Sequence, residues 1–154
     1  MKLANPTSLL QLNGIALDHP ALSMTDAILA CGENLVRLGA VSEDYVDEML
    51  ERESHYSTFI GEGIAIPHAS FGASHLIKFD QIVLLRPRGE IDWGSEKVKL
   101  VIGLALRGGN NIELLGALAD LLANSEQRKL LLDCIDSQGT LNLLASAILP
   151  SAHK

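Results

Sequence analysis

Two stretches, FDQIVLLR (79–86) and KVKLVIGLALR (97–107), restrict the fold more than anything else in the chain. The second is apolar at nearly every position from Leu100 to Leu106. A half-buried strand alternates apolar and polar residues, so an unbroken run marks a strand covered on both faces. Such a sheet needs helices above and below it. Because aromatic residues make up only 4% of the chain against 47% apolar, Leu, Ile, Val and Ala must build the core between those layers.

The rest of the chain supplies the helices. Ser23, with Asp26 three residues on, has the form of a capping arrangement, and Ile28, Cys31, Leu35 and Leu38 keep one apolar face up to a stop at Gly39. Ser42 opens a second helix, SEDYVDEMLERE, with Tyr45, Val46, Met49 and Leu50 as its stripe and acidic residues in its first turn, where the helix dipole favours them. After the second strand, Asn110 or Asn111 can cap a helix through IELLGALADLLAN, and SEQRKLLLDCI and GTLNLLASAIL read as two more. Between the two strands, RPRGEIDWGSE reads as a turn-rich connection carrying the only tryptophan, Trp93. Residues 1–22 are weakly patterned, with a short strand or entry arm at Ile15 to Leu17. The expected class is α/β in an α+β layered form: a central mixed β-sheet flanked by helices. With 154 residues and no Pro/Gly/Ser-rich linker, 1–154 reads as one domain. Met1 and Lys154 read as the ends of a free-standing protein.

Charge narrows the function. A formal net charge of −7 without a Lys/Arg cluster argues against nucleic acid and anionic membranes, and suits a basic protein partner. No signal peptide is legible, and no apolar run reaches the roughly 20 residues a membrane helix needs, so the expected setting is cytoplasmic, without direct membrane insertion. Cys31 and Cys134 stand far apart in apolar periodic segments and read as buried free thiols.

One segment remains unexplained by folding alone. In GEGIAIPHA (61–69) an extended apolar run stops at Pro67 and presents His68. Pro67 sets its own φ and holds Ile66 extended, while Gly61 and Gly63 are expected to let other backbone approach closely. An imidazole with a pKa of about 6.5 is largely neutral and nucleophilic near pH 7. A hydrogen-bonded turn residue fits the same pattern. His55, His68 and His75 lack zinc-ligand spacing, and the chain contains no GxSxG elbow, P-loop or GxGxxG.

GEGIAIPHA, with ERESHYSTFI before it and VKLVIGLALRGGNNIELLGALADLL after it, resembles the enzyme IIA domains of the bacterial phosphoenolpyruvate-dependent sugar phosphotransferase system, mannitol/fructose class. The likeness covers about residues 10–147, and ENLVRLGAVSEDYVDEMLERE is similar to the mannitol branch in particular. The resemblance implies that His68 accepts a phosphoryl group, through Nε2, from the phosphocarrier protein HPr and passes it to a cysteine of enzyme IIB, with no metal, nucleotide or other cofactor. It also implies that Arg52, of the Arg52–Glu53 pair, neutralises phosphoryl charge. Spacing alone fits an exposed arginine paired with Glu51 or Glu48. Thr58 and backbone N–H groups near Gly63 are further candidate donors. Many members carry a second histidine where this chain has Asn111, which can donate a hydrogen bond but cannot hold a proton charge. His55 and His75 read as surface residues, His19 and His153 as incidental. The nitrogen-related regulatory branch shares IAIPH but usually continues with Gly and a basic residue. Here Ala69, Ser70 and Phe71 follow, which favours the sugar branch. A third reading, an interaction domain that takes no phosphoryl group, is conceivable only because of Asn111.

Overall fold

The computed structural model describes residues 9–107 and 111–148. Its centre is a five-stranded mixed sheet, built from β1 (Leu10–His19), β2 (Phe59–Gly61), β3 (Ile64–Ala65), β4 (Gln81–Pro87) and β7 (Leu100–Ala105) in the order β1-β4-β7-β3-β2. β7 runs antiparallel to β4 and parallel to β3, and β1 is parallel to β4. Every residue of β7 is buried, as its continuous apolar run requires.

The two faces take alternate residues. Val83, Leu85, Val101 and Ala105 pack beneath α1 (Met24–Arg37) and α2 (Asp44–His55). Ile82, Leu84, Ile102 and Leu104 pack beneath α3 (Asn111–Ala123), α4 (Ser125–Asp133) and α5 (Ser137–Ile148). Close approach on the first face depends on two glycines. A Cβ at Gly103 would lie 2.9 Å from both Cys31 Cβ and Val83 Cγ2, and one at Gly32 would lie 2.8 Å from Val46 Cγ2.

The helix starts follow local chemistry, with one exception. Ser23 Oγ accepts from the Asp26 N–H at 3.0 Å and Asn124 Oδ1 from the Gln127 N–H at 2.9 Å, so both act as caps. Asp136 Oδ1 accepts from the Gly139 N–H, which lets α5 begin at Ser137, ahead of the expected Gly139. Ser42 does not cap: α2 starts at Asp44, and the Ser42 hydroxyl is buried without a hydrogen-bond partner among the described residues.

Three other expectations change. The N-terminal arm is a ten-residue strand, hidden from a period-two reading because its register with β4 shifts twice. The turn-rich connection is a hairpin of β5 (Ile91–Trp93) and β6 (Glu96–Val98), which separates from β7 what looked like one strand over 97–107. Gly61 has no neighbour within 4 Å of a Cβ position, so it admits no approaching backbone. Gly61, Glu62 and Gly63 instead all have positive φ, the conformation that turns β2 into β3. Cys31 is buried, and desolvation pushes its thiol up to about 12 against a smaller opposing effect of the Gly103 backbone; Cys134 is only half-buried. Among the described residues no helix is long and apolar enough to cross a membrane.

Candidate functional site

His68 lies just past the C-terminal end of β3, which is an inner strand between β7 and β2. The imidazole therefore leaves the end of the sheet rather than its edge. Extended backbone through Ile66 and the buried Pro67 carries it there, and the Pro67 carbonyl accepts from the Leu104 N–H at 3.0 Å. His68 Nδ1 stands 2.7 Å from the Ile66 carbonyl oxygen. A carbonyl only accepts, so Nδ1 carries the proton and Nε2 keeps its lone pair. The ring is half-buried, and desolvation lowers its pKa below the usual histidine value. The Ile66 carbonyl and the Glu53 carboxylate oppose that shift, and the nearby Arg52 guanidinium adds to it.

A cavity of about 270 Å³ opens beside the ring, lined among others by Tyr45, Arg52, His68, Phe71, Ser74 and Leu115. Its walls are mostly apolar, with the imidazole and the guanidinium brought together from different elements. Arg52 sits in the last turn of α2, where Nη1 donates to the Tyr56 carbonyl at 2.6 Å and the guanidinium lies 5.8 Å from the centroid of the Tyr56 ring. Neither Glu51 nor Glu48 forms an ion pair with it among the described residues; Glu51 pairs with His55.

Thr58, Gly63, His55, His75 and His19 are not among the residues that line the cavity. The Thr58 hydroxyl donates to Glu53 Oε1 at 2.6 Å and is buried, so it is already committed. Gly63 lies beside Lys99, at the opposite end of β3 from His68, about 16 Å away along an extended chain. His55 and His75 are exposed, and His19 Nδ1 accepts from the Ala21 N–H. Asn111 is the first residue of α3; its side chain lies outside the described residues, as do Asn110 and His153.

Two groups at the site escape a sequence reading. Glu53 accepts from the Thr58 N–H, the Thr58 hydroxyl and Trp93 Nε1, at 2.8, 2.6 and 2.8 Å. The Tyr45 hydroxyl donates to the Leu104 carbonyl at 2.8 Å and accepts from the Ala69 N–H at 3.2 Å. The available signal was weak: a tyrosine in a core stripe must find a partner for its hydroxyl.

The fold and this cavity define a class: an α/β domain that offers one neutral imidazole, its Nε2 without a hydrogen-bond partner among the described residues, next to an arginine suited to an anionic group. The chain belongs to the family described as "Phosphoenolpyruvate-dependent sugar phosphotransferase system, EIIA 2", whose model matches residues 8–147. It is thus a phosphotransferase component of that system. It is 35% identical over 114 residues to the mannitol-specific phosphotransferase enzyme IIA component of Staphylococcus aureus (strain Mu50), an alignment covering 74% of this chain and 79% of that protein. The complex of enzyme IIA for mannitol with phosphorylated enzyme IIB from Escherichia coli superposes with a TM-score of 0.81 at 30% identity, over 90% of this chain and 99% of that one. The nitrogen regulatory protein IIA-Ntr of Neisseria meningitidis gives a TM-score of 0.72 at 26% identity, over 88% and 96% of the two chains.

Proposed function

We propose that this chain is the phosphocarrier of a mannitol-class sugar phosphotransferase system, working in the cytoplasm between HPr and an enzyme IIB. The observation that carries the reading is the hydrogen bond from His68 Nδ1–H to the Ile66 carbonyl, which leaves Nε2 as the nucleophile. The Nε2 lone pair attacks phosphorus, a P–N bond forms, and the P–N bond to the donor histidine breaks, its electron pair returning to that nitrogen. The ring, now carrying Nδ1–H and the Nε2 phosphoryl group, gains positive character that the Ile66 carbonyl stabilises. Attack by a IIB thiolate forms an S–P bond and breaks the P–N bond, returning His68 to its neutral form. The chemistry needs alignment and charge neutralisation rather than covalent help from further residues. Arg52 supplies the charge, with two N–H groups that can meet two phosphoryl oxygens.

The mannitol class is supported by the Staphylococcus relative and by the Escherichia complex with phosphorylated IIB. The likeness to IIA-Ntr leaves a regulatory role as the second reading. Incubation with phosphoenolpyruvate, enzyme I and HPr, followed by a mannitol-class IIB, separates the two. Intact mass should rise by one phosphoryl group and fall again when IIB is added. His68→Ala should take up none; uptake equal to wild type in that variant would remove His68 as acceptor. Uptake without release to IIB would favour the regulatory role.

A further inference from the structure

His68 is suspended, on both sides, from a single residue of β7. On its N-terminal side the Pro67 carbonyl accepts from the Leu104 N–H. On its C-terminal side the Ala69 N–H donates to the Tyr45 hydroxyl, which in turn donates to the Leu104 carbonyl. The two peptide groups that flank His68 thus hang from the N–H and the C=O of Leu104, one directly and one through a phenol. Leu104 belongs to the fully buried central strand, and core strands are among the last parts of a fold to open.

We infer that Tyr45 is a positioning residue for phosphoryl transfer: its hydroxyl completes the attachment of the His68 main chain to β7 and so fixes where Nε2 points. This rests on the reading of His68 as acceptor. Tyr45 is 2% exposed, and its ring would fill the same space as phenylalanine, so packing alone does not call for the hydroxyl. Without it the Ala69 N–H would be buried and unpaired, a state proteins avoid. Burial also keeps the phenol protonated, its pKa pushed up to about 12, so the proton that reaches Leu104 is present throughout the working range. The ring lines the cavity with His68 and Arg52 and is itself buried. It therefore acts through His68's backbone and need not touch the phosphoryl group.

The test compares Tyr45→Phe with Met49→Ala, a variant of a fully buried residue one turn further along α2 that makes no hydrogen bond to residues 67–69. Transfer from phospho-HPr in Tyr45→Phe should have kcat reduced about tenfold to a hundredfold, with KM for HPr unchanged, as expected when a reacting atom is misplaced. Met49→Ala should lose thermal stability yet transfer at the wild-type rate below its melting range. In ¹⁵N NMR the His68 Nδ1–H, protected by its bond to Ile66, should exchange faster in Tyr45→Phe alone. A folded Tyr45→Phe with wild-type kcat and unchanged His68 ring signals would overturn the inference. If that variant does not fold, hydrogen exchange in the wild-type protein decides. The Ala69 N–H should be protected as strongly as that of Leu104, and rapid exchange at Ala69 would refute the attachment. Should wild-type protein accept no phosphoryl group, the acceptor reading fails by itself, while the ring signals still judge the role of Tyr45.

Discussion

In the resting protein Arg52 already has partners: the Tyr56 carbonyl holds Nη1, and the Tyr56 ring lies beneath the guanidinium. Both contacts are with an exposed residue, and among the described residues the other N–H groups of the guanidinium have no partner, so the charge can turn to a phosphoryl group without leaving a buried ion behind. Arg52→Ala should therefore keep its fold and slow phosphoryl uptake about 10²-fold, the scale of losing one preorganised charged donor. Arg52→Lys should recover part of the rate, since an ammonium lacks the two-pronged geometry. Rapid-quench transfer from phospho-HPr measures both, and wild-type rates in Arg52→Ala would return this residue to a surface role. The family resemblance singled out the arginine and the histidine as candidates, where local pattern alone left a turn histidine and a surface arginine open. The phenol that holds the histidine was not singled out, because Tyr45 occupies an ordinary stripe position and its partners are 24 and 59 residues away.

Arg52 is placed by the end of α2, and that end is held by its neighbour Glu53. One buried carboxylate takes three donors, two from Thr58 and one from Trp93 on β5. Helix, following loop and hairpin are thereby joined at the residue beside Arg52. Glu53→Gln replaces one acceptor oxygen with an NH₂ group facing donors. It should lower stability by about 1.5–3 kcal/mol, the range for hydrogen bonds to a charged group. Urea unfolding followed by Trp93 fluorescence reads it, because the indole loses its partner in the same step. An unchanged midpoint would mean that the three bonds contribute nothing net. At this scale the reading of RPRGEIDWGSE as turn-rich fell short for a physical reason. A three-residue strand such as β5 has too few positions to display a period, and the carboxylate that pairs the buried indole N–H of Trp93 lies 40 residues earlier in the chain.

Across the whole molecule the cost of presenting a neutral imidazole appears as pH dependence. Burial lowers the His68 pKa in the folded state, so the unfolded chain binds the proton more readily. The stability that follows is fully present above the unfolded value of about 6.5 and is lost as pH falls from there through the folded pKa. Between pH 7.5 and 5, wild-type protein should lose more stability in urea than His68→Asn, which has nothing to titrate there. Equal losses in the two proteins would show that the ring is not desolvated. The same shift leaves a larger share of Nε2 unprotonated than in an exposed histidine, which is about half protonated at its usual pKa of about 6.5.

What the sequence determined by itself is whatever depends on neighbours a few residues away. The helix cap at Ser23, the stop at Gly39, the both-faces burial of Leu100 to Ala105 and the extended approach to His68 through Pro67 are all of this kind. Backbone dihedrals and hydrophobic period act over one or two turns, so they can be read along the chain. Tertiary structure decided which groups meet. It gave the Thr58 hydroxyl to Glu53 and carried Gly63 to the far end of β3. It also hung the His68 backbone from Leu104 through Tyr45. Such pairings depend on the parallel register of β3 against β7 and on how α2 lies across it. Hydrogen bonds between residues tens of positions apart leave no periodic trace, and only the packed sheet brings them within reach.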